Sequence, residues 1–212
     1  MTSRLTSHAT YAALFITLLV PAAVSAQGSA QGSAFGNRQI FDAIDARDGS
    51  TICEMGAGEG ELTIAVARIV GSAGHVYSSE LGDDRLRVLR DKVSQSHLEQ
   101  ITVVAGDAKR TNFPDGGCDA VFMRSVYHHF ADPPTMNASI GAALKPGGVL
   151  AVVDFTPPPG SEAACPADRG KDGMHGITLE TLSRELKEAG FELISANASQ
   201  RAIMVVVSKP KA

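Results

Sequence analysis

The chain has 212 residues, room for one well-packed α/β domain and too few for two enzymatic domains. Nineteen Lys and Arg against 23 Asp and Glu leave a net charge of −4, so phosphate-backbone binding is not expected and nucleic acid is set aside as a partner. Aromatic residues make up 5% with no Trp, which weakens a stacking platform or a cation cage, and three Cys cannot all pair within one chain, which argues against a disulfide-stapled scaffold.

Arg4 and His8 precede an apolar run over residues 11–24, shorter than the roughly 20 residues a spanning helix requires. Pro21 breaks the end of the run, and Val24, Ser25 and Ala26 put small residues where a signal peptidase reads. Residues 1–26 are therefore expected to be a signal peptide cleaved after Ala26, leaving an exported protein, periplasmic or secreted, with no stable membrane span. A membrane-anchored or cytoplasmic chain is the alternative. Residues 27–34 repeat Gln-Gly-Ser-Ala twice, a composition that behaves as a flexible linker. The folded domain is expected over 35–212.

From there short apolar runs alternate with helical stretches, which predicts an α/β fold: a doubly wound, Rossmann-like, mostly parallel sheet of seven strands. Strands are predicted at 51–55, 75–79, 101–105, 119–124 and 149–155, each rich in β-branched or aliphatic residues and bounded by Gly, Pro or Asp. Crossover helices are predicted at 62–70, 84–93 and 134–144, the last stopping at Lys145-Pro146-Gly147-Gly148. A helix at 179–189 precedes two strands, 191–196 and 202–208, whose connection is too short for a parallel return. One antiparallel strand near the C-terminus follows.

The segment Glu54-Met55-Gly56-Ala57-Gly58-Glu59-Gly60 closes the first strand and leads into a helix. Glycines there let the backbone turn and a ligand approach, while the helix N-terminus offers free N–H groups to an anion. The dinucleotide fingerprint would need Gly at position 61, where the chain has Glu61, and the acidic Glu54 and Glu59 suit a zwitterion better than a pyrophosphate.

This segment resembles the first motif of class I S-adenosylmethionine-dependent methyltransferases, an acidic residue followed by G-x-G-x-G. The resemblance covers most of the domain. Glu80 after the second strand is similar to the residue that binds both ribose hydroxyls in that family. Gly106-Asp107-Ala108 resembles the segment that meets adenine. Cys118 to Arg124 with the following Ser125-Val126-Tyr127-His128-His129-Phe130 resembles the fourth strand and its loop, and Leu144-Lys145-Pro146-Gly147-Gly148 the start of the fifth. The resemblance implies S-adenosylmethionine as cofactor, with Glu54, Gly56, Ala57, Gly58, Gly60, Glu80, Asp107, Ala108 and Arg124 around it. All these loops follow the carboxyl ends of strands, where open α/β sheets hold ligands.

Methyl transfer from a sulfonium is an in-line displacement and requires no metal; a base is needed only when the acceptor must lose a proton. Tyr127, His128 and His129 lie where such a base would sit, although a His pair here also serves in this family to close the cofactor pocket. Metal ligation by His128, His129 and His175 is not expected, because adjacent residues rarely direct both rings at one ion. Nor is a Cys53–Cys118 disulfide, because a strand offset of about three residues would hold the two apart. Cys165 is expected to be a free thiol. The irregular stretch after the fifth strand, with Arg169, Lys171, His175 and Gly176, is expected to form a lid or wall for a small-molecule acceptor. The rival readings are a nicotinamide-dependent oxidoreductase and a module that holds the cofactor without transferring methyl.

Overall fold

A computed structural model describes residues 35–171 and 175–211, so the expected leader and linker lie outside the described residues. Along β1 (Thr51–Met55) successive side chains alternate between two separate apolar layers: Cys53 and Met55 on one face, Ile52 on the other. The same alternation runs through β4 (Cys118–Arg124), where Val121 and Met123 oppose Ala120 and Phe122, and through β5 (Leu144–Phe155), where Leu150 and Val152 oppose Ala151 and Val153. A strand apolar on both faces needs cover on both, and the helices supply it.

α1 (Asn37–Ala43) and α2 (Glu61–Val70) bring Ile40, Phe41, Leu62, Val66 and Val70 to one layer. α4 (Pro133–Ala143) and α5 (Leu179–Glu188) bring Met136, Ile140, Leu182 and Leu186 to the other. α3 (Asp83–Ser96) packs on β2 (His75–Glu80) and β3 (Ile101–Ala105). Truncating a fully buried anchor such as Phe122 to Ala would cost about 3–5 kcal/mol.

With β6 (Glu192–Ser199) and β7 (Ala202–Ser208) the sheet order is β3-β2-β1-β4-β5-β7-β6. β1 to β5 pair in parallel, while β7 runs antiparallel to both β5 and β6. The chain thus winds outward from β1 to β3, returns, and winds the other way from β4. The expected architecture and its single reversed strand are both present. Among the described residues no helix is long and apolar enough to cross a membrane.

Three details differ from expectation. The seven-residue α1 has too short an apolar pattern to stand out in the sequence; it starts at Gly36, whose N–H donates to Gln39 Oε1 at 2.8 Å. The helix before Lys145-Pro146-Gly147-Gly148 ends at Ala143, and Leu144 already belongs to β5, paired with Cys118. Most consequentially, Cys53 and Cys118 form a disulfide, with Cα atoms 5.9 Å apart. Register does set Val121 opposite Cys53. The β1–β4 pairing, however, begins only at Ile52 and Ala120, so Cys118 lies outside the paired stretch whose even spacing the wide separation assumed. Cys165 is an exposed free thiol.

Candidate active site

The winding reverses between β1 and β4, so the loops leaving their carboxyl ends diverge and open a crevice, the usual ligand position in such sheets. Gly56 stands at the mouth with φ +69°, and a Cβ there would lie 2.4 Å from Val126 Cγ2 on the loop after β4. Only glycine lets the two loops pass this closely. The N–H groups of Gly56 and Ala57 both donate to the Ser79 carbonyl at 2.9 Å, which fastens the loop to the end of β2. Gly60, with φ +85°, caps α2.

Glu80 ends β2 with its carboxylate 6% exposed and already oriented. Gly58 N–H donates to Oε2 at 2.6 Å and Leu81 N–H to Oε1 at 2.9 Å, while Arg85 Nη1 stands 3.8 Å away. Each oxygen keeps lone-pair capacity for a ligand hydroxyl. Gly106, after β3, passes close to the Glu80 carbonyl, and Asp107 next to it is exposed, accepting from Lys109 N–H at 2.8 Å. These groups border a cavity of about 420 Å³. Of the residues singled out in the sequence, Gly56, Gly58, Glu80, Asp107, Ala108 and Arg124 line it, and so does His129. Ala57 and Glu54 border an adjoining cleft that shares Gly56, Gly58 and Arg124.

Glu54 is buried beneath the loop, 2% exposed. It lies on the α2 side of the sheet, where Thr63 Oγ1 on α2 and Ser78 Oγ on β2 both donate to Oε2, the latter at 3.2 Å. Burial pushes its carboxyl up to about 7, against the opposing effect of those two hydroxyls and of Arg124. The residue ties β1, β2 and α2 together beneath the glycine loop.

The three candidate bases separate. Tyr127 is fully buried among α4 residues, its hydroxyl accepting from Asn137 Nδ2 at 2.8 Å, and burial raises its phenol above the ordinary range. It is part of the core. His128 is 1% exposed, with its ring Nδ1 2.8 Å from Asp154 Oδ1 and its backbone N–H donating to Asp154 Oδ2 at 3.1 Å. His129 faces the cavity, and burial together with neighbouring His128 and His175 holds its imidazole below the usual pKa. The stretch after β5 packs over the turn Tyr127–His129: Arg169 forms a two-armed ion pair with Glu185 on α5, and Gly170 runs beside His129. His175 comes to rest against Phe155 and both adjacent histidines.

Several lining residues carried no legible signal. Arg85 sits on the first turn of α3, five residues past Glu80, and reads as a solvated helix charge. Phe130 and Met136 read as core. Ser125, also lining the cavity, has φ +58°, a strained value for a non-glycine that only its surroundings enforce; its N–H donates to the Val153 carbonyl at 2.8 Å.

Comparison with known proteins agrees with this geometry. The family model described as "Methyltransferase domain" matches residues 53–152. The ubiquinone/menaquinone biosynthesis C-methyltransferase UbiE of Vibrio vulnificus is 33% identical over 179 residues, covering 73% of this chain and 69% of the relative. The enzyme of the same name from Vibrio cholerae is 34% identical over 122 residues, 57% of this chain; the chain spans about half the length of that relative, 47%. Among solved structures, an S-adenosylmethionine-dependent methyltransferase from Aquifex aeolicus superimposes with a TM-score of 0.70 at 18% identity, over 82% of this chain and 89% of that one, a likeness of fold.

Proposed function

The chain belongs to the class I S-adenosylmethionine-dependent methyltransferase family, and from that premise we propose that it is an exported enzyme that methylates a small-molecule acceptor. The observation that carries the reading is Glu80: a buried carboxylate held by two backbone N–H groups beside the glycine loop, with free lone pairs toward a cavity of suitable size. It receives the ribose hydroxyls, while Asp107 and Ala108 border the adenine. Arg124 and the N-terminal turn of α2 hold the carboxylate of the amino-acid end.

The bound sulfonium supplies an electrophilic methyl carbon. The protein's own task is alignment and exclusion of water, which the loop after β4 serves by walling the cavity with Ser125, Val126, His129 and Phe130. His129 is the side chain best positioned to take a proton from an acceptor, since its ring lines the cavity and its lowered pKa keeps it neutral near pH 7. A small acceptor fits because the cofactor-binding sheet uses nearly the whole domain, and only the stretch after β5 remains to recognise a second substrate. Nucleic acid is not among the proposed partners.

Export is supported by the predicted leader over residues 1–26 and by the Cys53–Cys118 disulfide, a bond that persists in oxidising compartments and is rare where thiols are kept reduced. Calorimetry with S-adenosylmethionine, S-adenosylhomocysteine and NAD tests the cofactor: binding of the first two with NAD silent supports the reading, and the reverse favours an oxidoreductase. Cofactor binding without methyl release across a panel of small acceptors would leave a binding module instead. Cell fractionation with N-terminal sequencing tests export, and a mature chain beginning at Met1 in the cytosol would overturn that part.

A further inference from the structure

Beside the cavity, three imidazoles come together from two distant parts of the chain. His128 and His129 are adjacent in a 3-10 turn (Tyr127–His129), and His175 arrives from beyond β5. The ring centroids of His128 lie 3.9 Å from those of His129 and 4.6 Å from those of His175. One ring nitrogen from each of the three lies within 4.8 Å of the other two. Adjacent residues rarely direct both rings at one point, and here Asp154 dictates the orientation of one of them.

Asp154 is buried and accepts three hydrogen bonds: from the backbone N–H groups of His128 and Phe155, at 3.1 and 2.9 Å, and from His128 Nδ1 at 2.8 Å. A carboxylate in that position fixes the His128 tautomer with its proton on Nδ1. The lone pair is then on Nε2, and this atom is buried with no hydrogen-bond partner among the described residues. A buried acceptor without a donor is uncommon, and a bound ion is one arrangement that satisfies it. A carboxylate bonded to one nitrogen of a histidine, with the other nitrogen free, is the arrangement that orients metal-binding imidazoles.

We propose that His128, His129 and His175 bind one divalent transition-metal ion of the zinc type, each through one ring nitrogen, with Asp154 as the positioning residue behind His128. Neutral nitrogen donors select zinc and its neighbours over magnesium or calcium, which take oxygen ligands. Zinc–nitrogen bonds of about 2.0–2.1 Å require the three atoms to approach within about 3.4 Å of one another in a tetrahedral set. The movement falls to His129, which is exposed, and His175, which is half-buried, while His128 stays fixed. Behind the site Gly176 anchors the incoming chain: at φ +121°, a Cβ would lie 2.5 Å from the Phe155 carbonyl, and the next residue, Ile177, donates its N–H to that same carbonyl at 2.9 Å. Three protein ligands leave the fourth position for water or a ligand atom. This inference does not depend on the methyl-transfer reading, but a His129 bound to the ion has no lone pair left to take a proton, so the two roles of that side chain exclude each other in any one state.

The test uses the full chain, purified without a polyhistidine tag and stripped with a chelator. Zinc is titrated in competition with a chromogenic chelator, and cobalt is added separately to read tetrahedral absorption. The expected result is one ion per chain, with affinity lowered more than about tenfold in both His129→Ala and His175→Ala, and about 10–100-fold in Asp154→Asn. His75→Ala and His97→Asn should leave it unchanged. His129→Ala and His175→Ala avoid the folding risk of altering buried His128. Absence of stoichiometric zinc binding, or binding that survives the His129→Ala/His175→Ala double substitution, would overturn the proposal. S-adenosylmethionine calorimetry on the same stripped protein keeps the two questions separate, since cofactor binding can persist or fail whatever the zinc result.

Discussion

The backbone N–H of Gly58 donates to the Glu80 carboxylate at 2.6 Å, joining the loop after β1 to the end of β2 across 22 residues of sequence. The bond is charge-assisted and largely shielded, and it sets both the loop conformation and the carboxylate lone pairs that face the cavity. Glu80→Ala removes the acceptor and leaves two backbone donors without it, so S-adenosylmethionine affinity should fall by about 10- to 100-fold, equivalent to roughly 1.5–3 kcal/mol. Calorimetry on the folded variant checks it, and unchanged affinity would remove Glu80 from the site.

Glu54 should impose a pH dependence on stability. Its carboxyl is raised from 4.5 to about 7 by burial, so the folded state holds the proton more tightly than the unfolded chain. The contribution is therefore fully present below about pH 4.5 and is lost as pH rises toward and through 7, by an amount on the order of 3 kcal/mol. Urea denaturation at a series of pH values should show this decline in the parent protein. In Glu54→Gln, which keeps an acceptor for Thr63 without the charge, the decline should be flattened.

The disulfide closes a loop between residues 65 apart in sequence, for which chain entropy predicts stabilisation of about 4 kcal/mol. The Cys53→Ala/Cys118→Ala double variant should lose most of that in denaturant titrations, and reductant should destabilise the parent protein but not the variant. Thiol labelling under denaturing, non-reducing conditions should modify Cys165 alone; three modified thiols would show that the bridge is not formed.

Tyr127 should prove structural. Its hydroxyl meets Asn137 inside the core, so Tyr127→Phe leaves a buried amide donor unsatisfied and should cost about 1–3 kcal/mol in stability. Methyl transfer measured well below the melting temperature should stay within about twofold of the parent. A loss of several orders of magnitude at intact stability would restore the phenol as a base.

The sequence was most informative where the signal is local. The period-2 alternation of Ile52, Cys53 and Met55, and of Ala120 to Met123, follows from strand geometry; Gly56 and Gly58 stand out as a glycine loop at a strand end, and Glu80 and Asp107 through the resemblance to class I methyltransferases, and all four line the cavity. Chain connectivity then restricts how such strands order themselves, so the doubly wound sheet with one reversed strand near the C-terminus was legible before any contact was known, and the pairing identifies that strand as β7. What the tertiary structure decided involves residues far apart in the chain or side-chain directions that no periodicity encodes. Cys53 meets Cys118, which lies just before the paired stretch of β1 and β4. Tyr127 turns into the core while His129, two residues on, turns to the cavity, and Asp154 aims His128 toward two other imidazoles. Sequence spacing determines which backbone positions can be neighbours; the rotamers that packing and buried hydrogen bonds impose determine which atoms meet.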